Sequence, residues 1–289
     1  MAASDPRIAG IEPLRPDDAP ALAPLAHEAG WNQVPADWRL MLGAGTGFGI
    51  RGARGGWVGS ALVLPLGSSI AWISMVLVTA AERGRGLGTA LLRRCIAEVE
   101  AMGASAGLDA TELGRPIYLP LGFGDVYTLS RWHAGRGVRG AVPPPAGISI
   151  RPARPADLAA IAACDRRCTG FSRAGVVADL VTRAAALAHV AERGDGSLAG
   201  FALGRDGART PHVGPVCAED EAIGLALLSA AMAAAGGPVI ADVPDAHQAV
   251  RRWLQEQGAT VPRGFVRMMR GGTMEGPARV LAVAGPELA

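Results

Sequence analysis

Apolar and polar positions in the first half of the chain change period several times, and each change marks an element. Residues 57–64 and 71–78 are apolar and β-branched around the turn sequence Leu66-Gly67-Ser68-Ser69, which predicts an antiparallel hairpin. After Val78 the pattern breaks into a loop alternating arginine and glycine, Arg83-Gly84-Arg85-Gly86-Leu87-Gly88. Leu91, Leu92, Cys95, Ile96 and Val99 then recur at helical spacing, so an amphipathic helix with those residues buried is expected. A strand at 107–111 follows, and Tyr118 stands shortly after it, ahead of Gly122-Phe123.

The second half repeats this order weakly. Ile11-Glu-Pro-Leu-Arg-Pro-Asp-Asp18 aligns with Ile150-Arg-Pro-Ala-Arg-Pro-Ala-Asp157, each a short strand before a helix begun at aspartate, 19–29 and 158–167. Residues 78–92 lie over 216–228 when leucines 91 and 92 are set on 227 and 228, and Tyr118–Gly122 lies loosely over Trp253–Gly258. Residues 136–147 read as a linker by composition. The expected fold class is therefore α+β. Two tandem domains are expected, 1–140 and 141–289, each a mixed, mostly antiparallel twisted sheet flanked by helices.

Composition narrows the function classes. A chain of 289 residues, 49% hydrophobic, has material for one large or two ordinary cores. Its net charge of +2 argues for neither a nucleic acid nor a membrane surface as partner. Residues 222–241 are uncharged and long enough to span a bilayer, but Gly236-Gly237-Pro238 divides them into a helix, a turn and a strand. Residues 1–7 contain no apolar signal core. The four cysteines, 95, 164, 168 and 217, are too few for a disulfide framework, and with no Cys/His set at ligand spacing no metal is expected. A cytoplasmic protein of undetermined oligomeric state is the expectation.

The loop is where chemistry concentrates. Gly84, Gly86 and Gly88 lack a Cβ, so a ligand can approach their N–H groups. The following helix start offers free N–H donors and a positive dipole end, and two arginines add charge: a cradle for a diphosphate. A P-loop is excluded, because all 28 basic residues are arginine. The dinucleotide fingerprint fails as well, with Thr89 or Leu91 at its last glycine, although Asp109 lies about where a ribose-binding acid would.

What remains, Arg83-x-x-Gly86-x-Gly88 between strand and helix, resembles the acetyl-CoA pyrophosphate loop of the GCN5-related N-acetyltransferase (GNAT) superfamily. Ile117-Tyr118-Leu-Pro-Leu-Gly122-Phe123 is similar to that family's FYxxxGF segment, in the same order and separation. The resemblance covers residues 10–132 well and 148–289 weakly. It implies acetyl transfer from acetyl-CoA to a small-molecule or peptide amine by direct transfer in a ternary complex. Leu77, Val78, Arg83, Gly84, Arg85, Gly86, Leu87, Gly88 and Thr89 would hold the cosubstrate, on a strand locally irregular within 74–78.

Tyr118 would stabilise the leaving thiolate by hydrogen bonding; a core aromatic is the other reading. Asp109 is first choice for the base, with a structural acid equally open, and Asp37, Glu112 and Asp165 follow. Trp31, Asn32, Asp165 and Arg166 are the leading acceptor contacts, with Gln33, Trp38, Trp72, Trp132, Phe171 and Arg173 as further candidates. In the second half the loop reads Glu219-Asp220-Glu221, whose carboxylates would repel a diphosphate, so that half is expected to be degenerate. The competing function is a catalytically silent acyl-CoA-binding or regulatory module.

Overall fold

The computed structural model describes residues 10–289; the stretch 1–7, with its expected lack of a signal core, lies outside the described residues. Packing divides the chain into two units. One runs to Leu108 and includes Arg270–Gly272; the other comprises Asp109–Met269 and Thr273–Ala289.

In the first unit, β1 (Ile11–Leu14), β2 (Thr46–Arg51), β3 (Trp57–Leu66) and β4 (Ile70–Val78) form an antiparallel run in that order. The expected hairpin is β3–β4, turned through Gly67 at φ +77°. Helix α3 (Leu87–Ala101) then returns the chain to β5 (Ser105–Thr111), which pairs parallel with β4 at Ile70–Ser105, Ala71–Ala106 and Trp72–Gly107. Helices α1 (Ala19–Glu28) and α2 (Pro35–Ala44) complete the unit. Its core joins Leu22, Trp38, Met41, Leu62, Trp72, Ile73 and Leu91, each essentially buried. Burying such side chains contributes about 1.5–3 kcal/mol apiece. The α3 face predicted from spacing is the buried one, Leu91, Leu92, Cys95, Ile96 and Val99 included.

The second unit takes the end of β5, α4 (Arg115–Tyr118), β6 (Gly124–Ala134), β7 (Ile148–Pro152), α5 (Leu158–Thr169), α6 (Ala174–Arg183), β8 (His189–Arg193) and β9 (Leu198–Arg205). It continues through β10 (His212–Ala218), α7 (Glu221–Ala234), β11 (Val239–Pro244), α8 (Gln248–Glu256), nearly all of β12 (Thr260–Arg270) and β13 (Val280–Ala282). Its strands lie in the order β12-β6-β11-β10-β9-β8-β7, with β13 on β10. Strand β6 belongs to the first repeat by sequence, yet it pairs antiparallel with both β11 and β12. The packed units and the repeat boundary near residue 140 are therefore different divisions of the chain. Residues 222–241 form α7, a turn at Gly236 and β11, as the glycines required. No helix among the described residues is long and apolar enough to cross a membrane.

The repeated Arg-Pro-x-Asp explains why both halves start alike. Asp18 accepts from the N–H of Arg15 at 2.8 Å, and Asp157 accepts from the N–H of Arg154 at 2.7 Å. Each closes a single 3-10 turn that feeds α1 or α5. The aspartate is a local hydrogen-bond acceptor in both copies.

Candidate functional site

The irregularity implied for residues 74–78 lies at Met75. Opposite Leu62 and Ser60, strand β4 places Ser74 and Leu77, so it carries one residue more than its partner. Met75 takes φ +51°, uncommon for a side-chain-bearing residue, and such kinks turn a strand out of its ladder. The buried Ser60 hydroxyl donates to the Met75 carbonyl at 2.9 Å, which satisfies one group the bulge removes from pairing. Pairing between β4 and β5 stops at Trp72 and Gly107. Beyond that point no described strand pairs with Leu77 or Val78 on the β5 side. Ser60 is a positioning residue that sequence reasoning missed; a serine inside an apolar strand is its only signal.

Past β4, Ala80–Glu82 make a 3-10 turn, and the N–H of Ala80 donates to Glu28 at 2.6 Å, a second contact without a local signal. Gly84 and Gly86 adopt φ +73° and +78°. A Cβ on Gly84 would meet nothing within 4 Å, so conformation, not crowding, asks for glycine there. Gly86 caps α3, and no side-chain hydrogen bond caps that helix among the described residues. The donors of Leu87, Gly88 and Thr89 are those a helix start leaves unpaired. Arg83 is exposed and donates to the Val78 carbonyl at 3.1 Å; Arg85 is exposed and pairs with Glu82. Loop, helix start and the end of β4 thus come together in the first unit. Left-handed glycines and an uncapped helix suit a diphosphate with an extended chain behind it.

Tyr118 and Asp109 belong to the second unit. Tyr118 is half-buried at the end of α4, over Gly114, where a Cβ would stand 3.0 Å from its ring and 3.3 Å from its hydroxyl oxygen. Burial pushes the phenol pKa up, so it stays protonated. Asp109 is paired with a residue the sequence does not nominate. Arg267 donates to both of its oxygens at 2.8 Å, and the pair is buried, its side chains 0% and 3% exposed. Burial raises the Asp109 carboxyl and Arg267 opposes it; Arg267 itself is held charged. A carboxylate with both oxygens so engaged serves best as an anchor between β5 and β12.

The other nominees separate by burial. Trp31 is half-buried after α1, while Asn32 and Gln33 are buried, and the Gln33 Oε1 has no hydrogen-bond partner among the described residues. Trp38, Trp72 and Trp132 are core side chains, at most 2% exposed, which corrects their nomination as acceptor contacts. Asp165 is corrected too, because both its oxygens accept from Arg173 in a pair about 1–2% exposed, and a ligand cannot reach it. Arg166, its neighbour on α5, is exposed. Arg173 and Phe171 line a small pocket of the second unit with Tyr127, Cys168, Arg267 and Val280. Asp37 accepts from the N–H of Val34 at 2.9 Å, and Glu112 is exposed. Cys95 is fully buried and burial drives its thiol far up, as its place in the packed face of α3 implies.

The second-half loop is closed differently from the sequence expectation. Asp220 is the N-cap of α7 and accepts from the N–H of Ile223 at 2.8 Å. Glu221 accepts from the N–H of Ala249 at 2.8 Å, and Glu219 pairs with Arg193. Cap to cap, Gly86 corresponds to Asp220, whereas the leucine alignment sets it against Ala222. At least one first-turn donor, the N–H of Ile223, is satisfied in α7 by its own capping residue.

Known proteins resemble the chain in sequence pattern and in fold. A family model described as Acetyltransferase (GNAT) family matches residues 17–123, and one described as Acetyltransferase (GNAT) domain matches residues 161–280. Comparison with curated proteins finds no match. Among solved structures, the chain is similar to a Pyrococcus horikoshii protein assigned as an acetyltransferase, with TM-score 0.75, 16% identity and coverage of 96% of this chain and 95% of that one. It is also similar to a GCN5-related N-acetyltransferase from Sphaerobacter thermophilus, with TM-score 0.64, 20% identity and coverage of 91% and 96%. A tandem GNAT protein from the clavulanic acid biosynthesis pathway gives TM-score 0.61, 15% identity and coverage of 92% and 98%. At these identities the structures speak for the fold, and the two sequence matches speak for the family. With one GNAT match in each half, the chain belongs to the GNAT superfamily as a tandem, two-domain acyltransferase.

Proposed function

We propose that this acyltransferase moves an acetyl group from acetyl-CoA to a small-molecule or peptide amine, by direct transfer, with its first half as the working one. The observation that carries the reading is the contrast between the helix starts: α3 uncapped behind two left-handed glycines, α7 capped by Asp220. Arg83, Arg85 and the N–H groups of Gly84–Thr89 would hold the diphosphate of acetyl-CoA, which supplies the activated acyl group. Leu77 and Val78 would pair with its amide chain and polarise the acyl carbonyl through a backbone N–H.

Tyr118, kept protonated by burial, would donate a hydrogen bond to the leaving thiolate. Of the carboxylates nominated as base, Asp37, Asp109 and Asp165 are engaged; Glu112 is exposed and without an ion pair among the described residues, so we assign it, or a water it orients, to accept the amine proton. Asp109 then positions. Trp31 and Asn32 at the α1–α2 turn, and Arg166, are the acceptor contacts of this reading. Four free thiols suit a cytoplasmic setting.

The test is thiol release from acetyl-CoA across a library of polyamines, amino acids, aminoglycosides and peptides, alongside calorimetric binding. We expect binding and turnover with one acceptor class, both lost in Arg83→Glu with Gly86→Asp. Binding without turnover on any amine would favour the silent module; no binding would sink both readings.

A further inference from the structure

The two halves carry the same bulge. In the first, Ser74 and Leu77 face Leu62 and Ser60; in the second, Val213 and Val216 face Gly204 and Ala202. Met75 therefore corresponds to Gly214, Leu77 to Val216 and Val78 to Cys217. Each bulged strand also has a short parallel partner: β4 meets β5 over residues 70–72, and β10 meets β11 at His212–Ile240. Past the bulge the two halves differ. Leu77 and Val78 have no strand partner on the β5 side among the described residues. Val216 and Cys217 pair with Ala282 and Val280 of β13. Val283 bridges to β11, its N–H donating to the Asp242 carbonyl at 2.9 Å, and the N–H of Ala218 donates to the Arg279 carbonyl at 3.0 Å.

Two glycines make room for this segment. A Cβ on Gly214, at φ +155°, would stand 2.0 Å from the Val283 carbonyl oxygen, while the first half has a methionine at that position. A Cβ on Gly224, inside α7, would stand 2.2 Å from the Leu281 side chain, which is fully buried. Further along, Arg205 pairs with Glu287, and Arg173 donates to the carbonyl of Leu288 at 3.1 Å.

We infer that Pro277–Ala289 is a built-in occupant of the second half's strand gap. It takes the place that the extended amide chain of acyl-CoA takes in the first half. This closure, rather than the charge of residues 219–221, shuts the second half to the cofactor. The inference rests on the function proposed for the first half, and the experiment separates the two.

Acetyl-CoA is titrated by calorimetry into the full chain and into Glu219→Ala with Asp220→Gly. One equivalent in both is expected. Two equivalents in the variant would overturn the tail's role and restore charge as the cause. None in the parent would instead sink the first-half reading. Hydrogen exchange then tests the tail without any cofactor. Glycine to alanine inside a helix is ordinarily stabilising. Gly224→Ala is expected to do the reverse, with amides 280–284 exchanging at least tenfold faster and amides 57–78 unchanged, and Leu281→Ala in the same chain should restore protection. Unchanged or slower exchange at 280–284 in Gly224→Ala would refute the seating of the tail.

Discussion

At the scale of single residues, burial decides between roles that the sequence leaves open. Asp109 lies on the expected strand, but its partner Arg267 is 158 residues away, beyond any local pattern. Replacing Asp109 by Asn strands a buried guanidinium, so a stability loss of about 3–5 kcal/mol is expected in chemical denaturation. An unchanged midpoint would return Asp109 to the candidates for base. Tyr118→Phe should lower kcat by roughly 10²-fold while leaving acetyl-CoA affinity unaltered, since only the hydroxyl is lost. Equal loss in Kd and kcat would mean that the ring merely packs. Ser60 shows the opposite limit of sequence reading: nothing about one serine among apolar neighbours announces that it holds the carbonyl of a kinked strand.

Elements are more legible than their ends. The α3 face follows from leucine spacing because a helix buries one stripe, and the loop is legible because glycines at positive φ leave a mark in the letters. In the second-half loop the leucines fix the helix's phase but not its start; only the Asp220 hydrogen bond fixes that. Asp220→Ala should cost α7 about 1 kcal/mol, read as a lower midpoint on urea unfolding. Gly86→Ala forces a Cβ into left-handed backbone at a cost of about 1–2 kcal/mol. It should weaken acetyl-CoA binding by roughly 5–30-fold, the factor to which that energy corresponds, and wild-type affinity in that variant would show that the glycine conformation is dispensable.

For the molecule as a whole, the repeated Arg-Pro-x-Asp turn reveals two halves from sequence because its bonds span three residues; the placement of β6 depends on pairings such as Arg131–Asp242 across 111 residues, and stays hidden. That pair also sets acid sensitivity. Burial lowers the His212 pKa and keeps the ring neutral in the fold, 3.3 Å from Asp242. Protons therefore favour the unfolded chain once pH drops below about 6.5. Burial would raise Asp242, but Arg131, donating to both of its oxygens, outweighs that and holds it well below the usual range. Its contribution is complete above about 3.9 and fades beneath that. Thermal midpoints should thus decline from pH 7 to 5 and fall steeply below 4; a flat profile between 7 and 5 would contradict the assignment to His212. The kink at Met75 has a kinetic corollary. Its twin at Gly214 forms where the protein supplies its own filling, and Ser60 braces the first copy without help, so the mould is cast during folding. A visitor to the first half should dock in one step, at a rate linear in its concentration, with no slow rearrangement trailing behind.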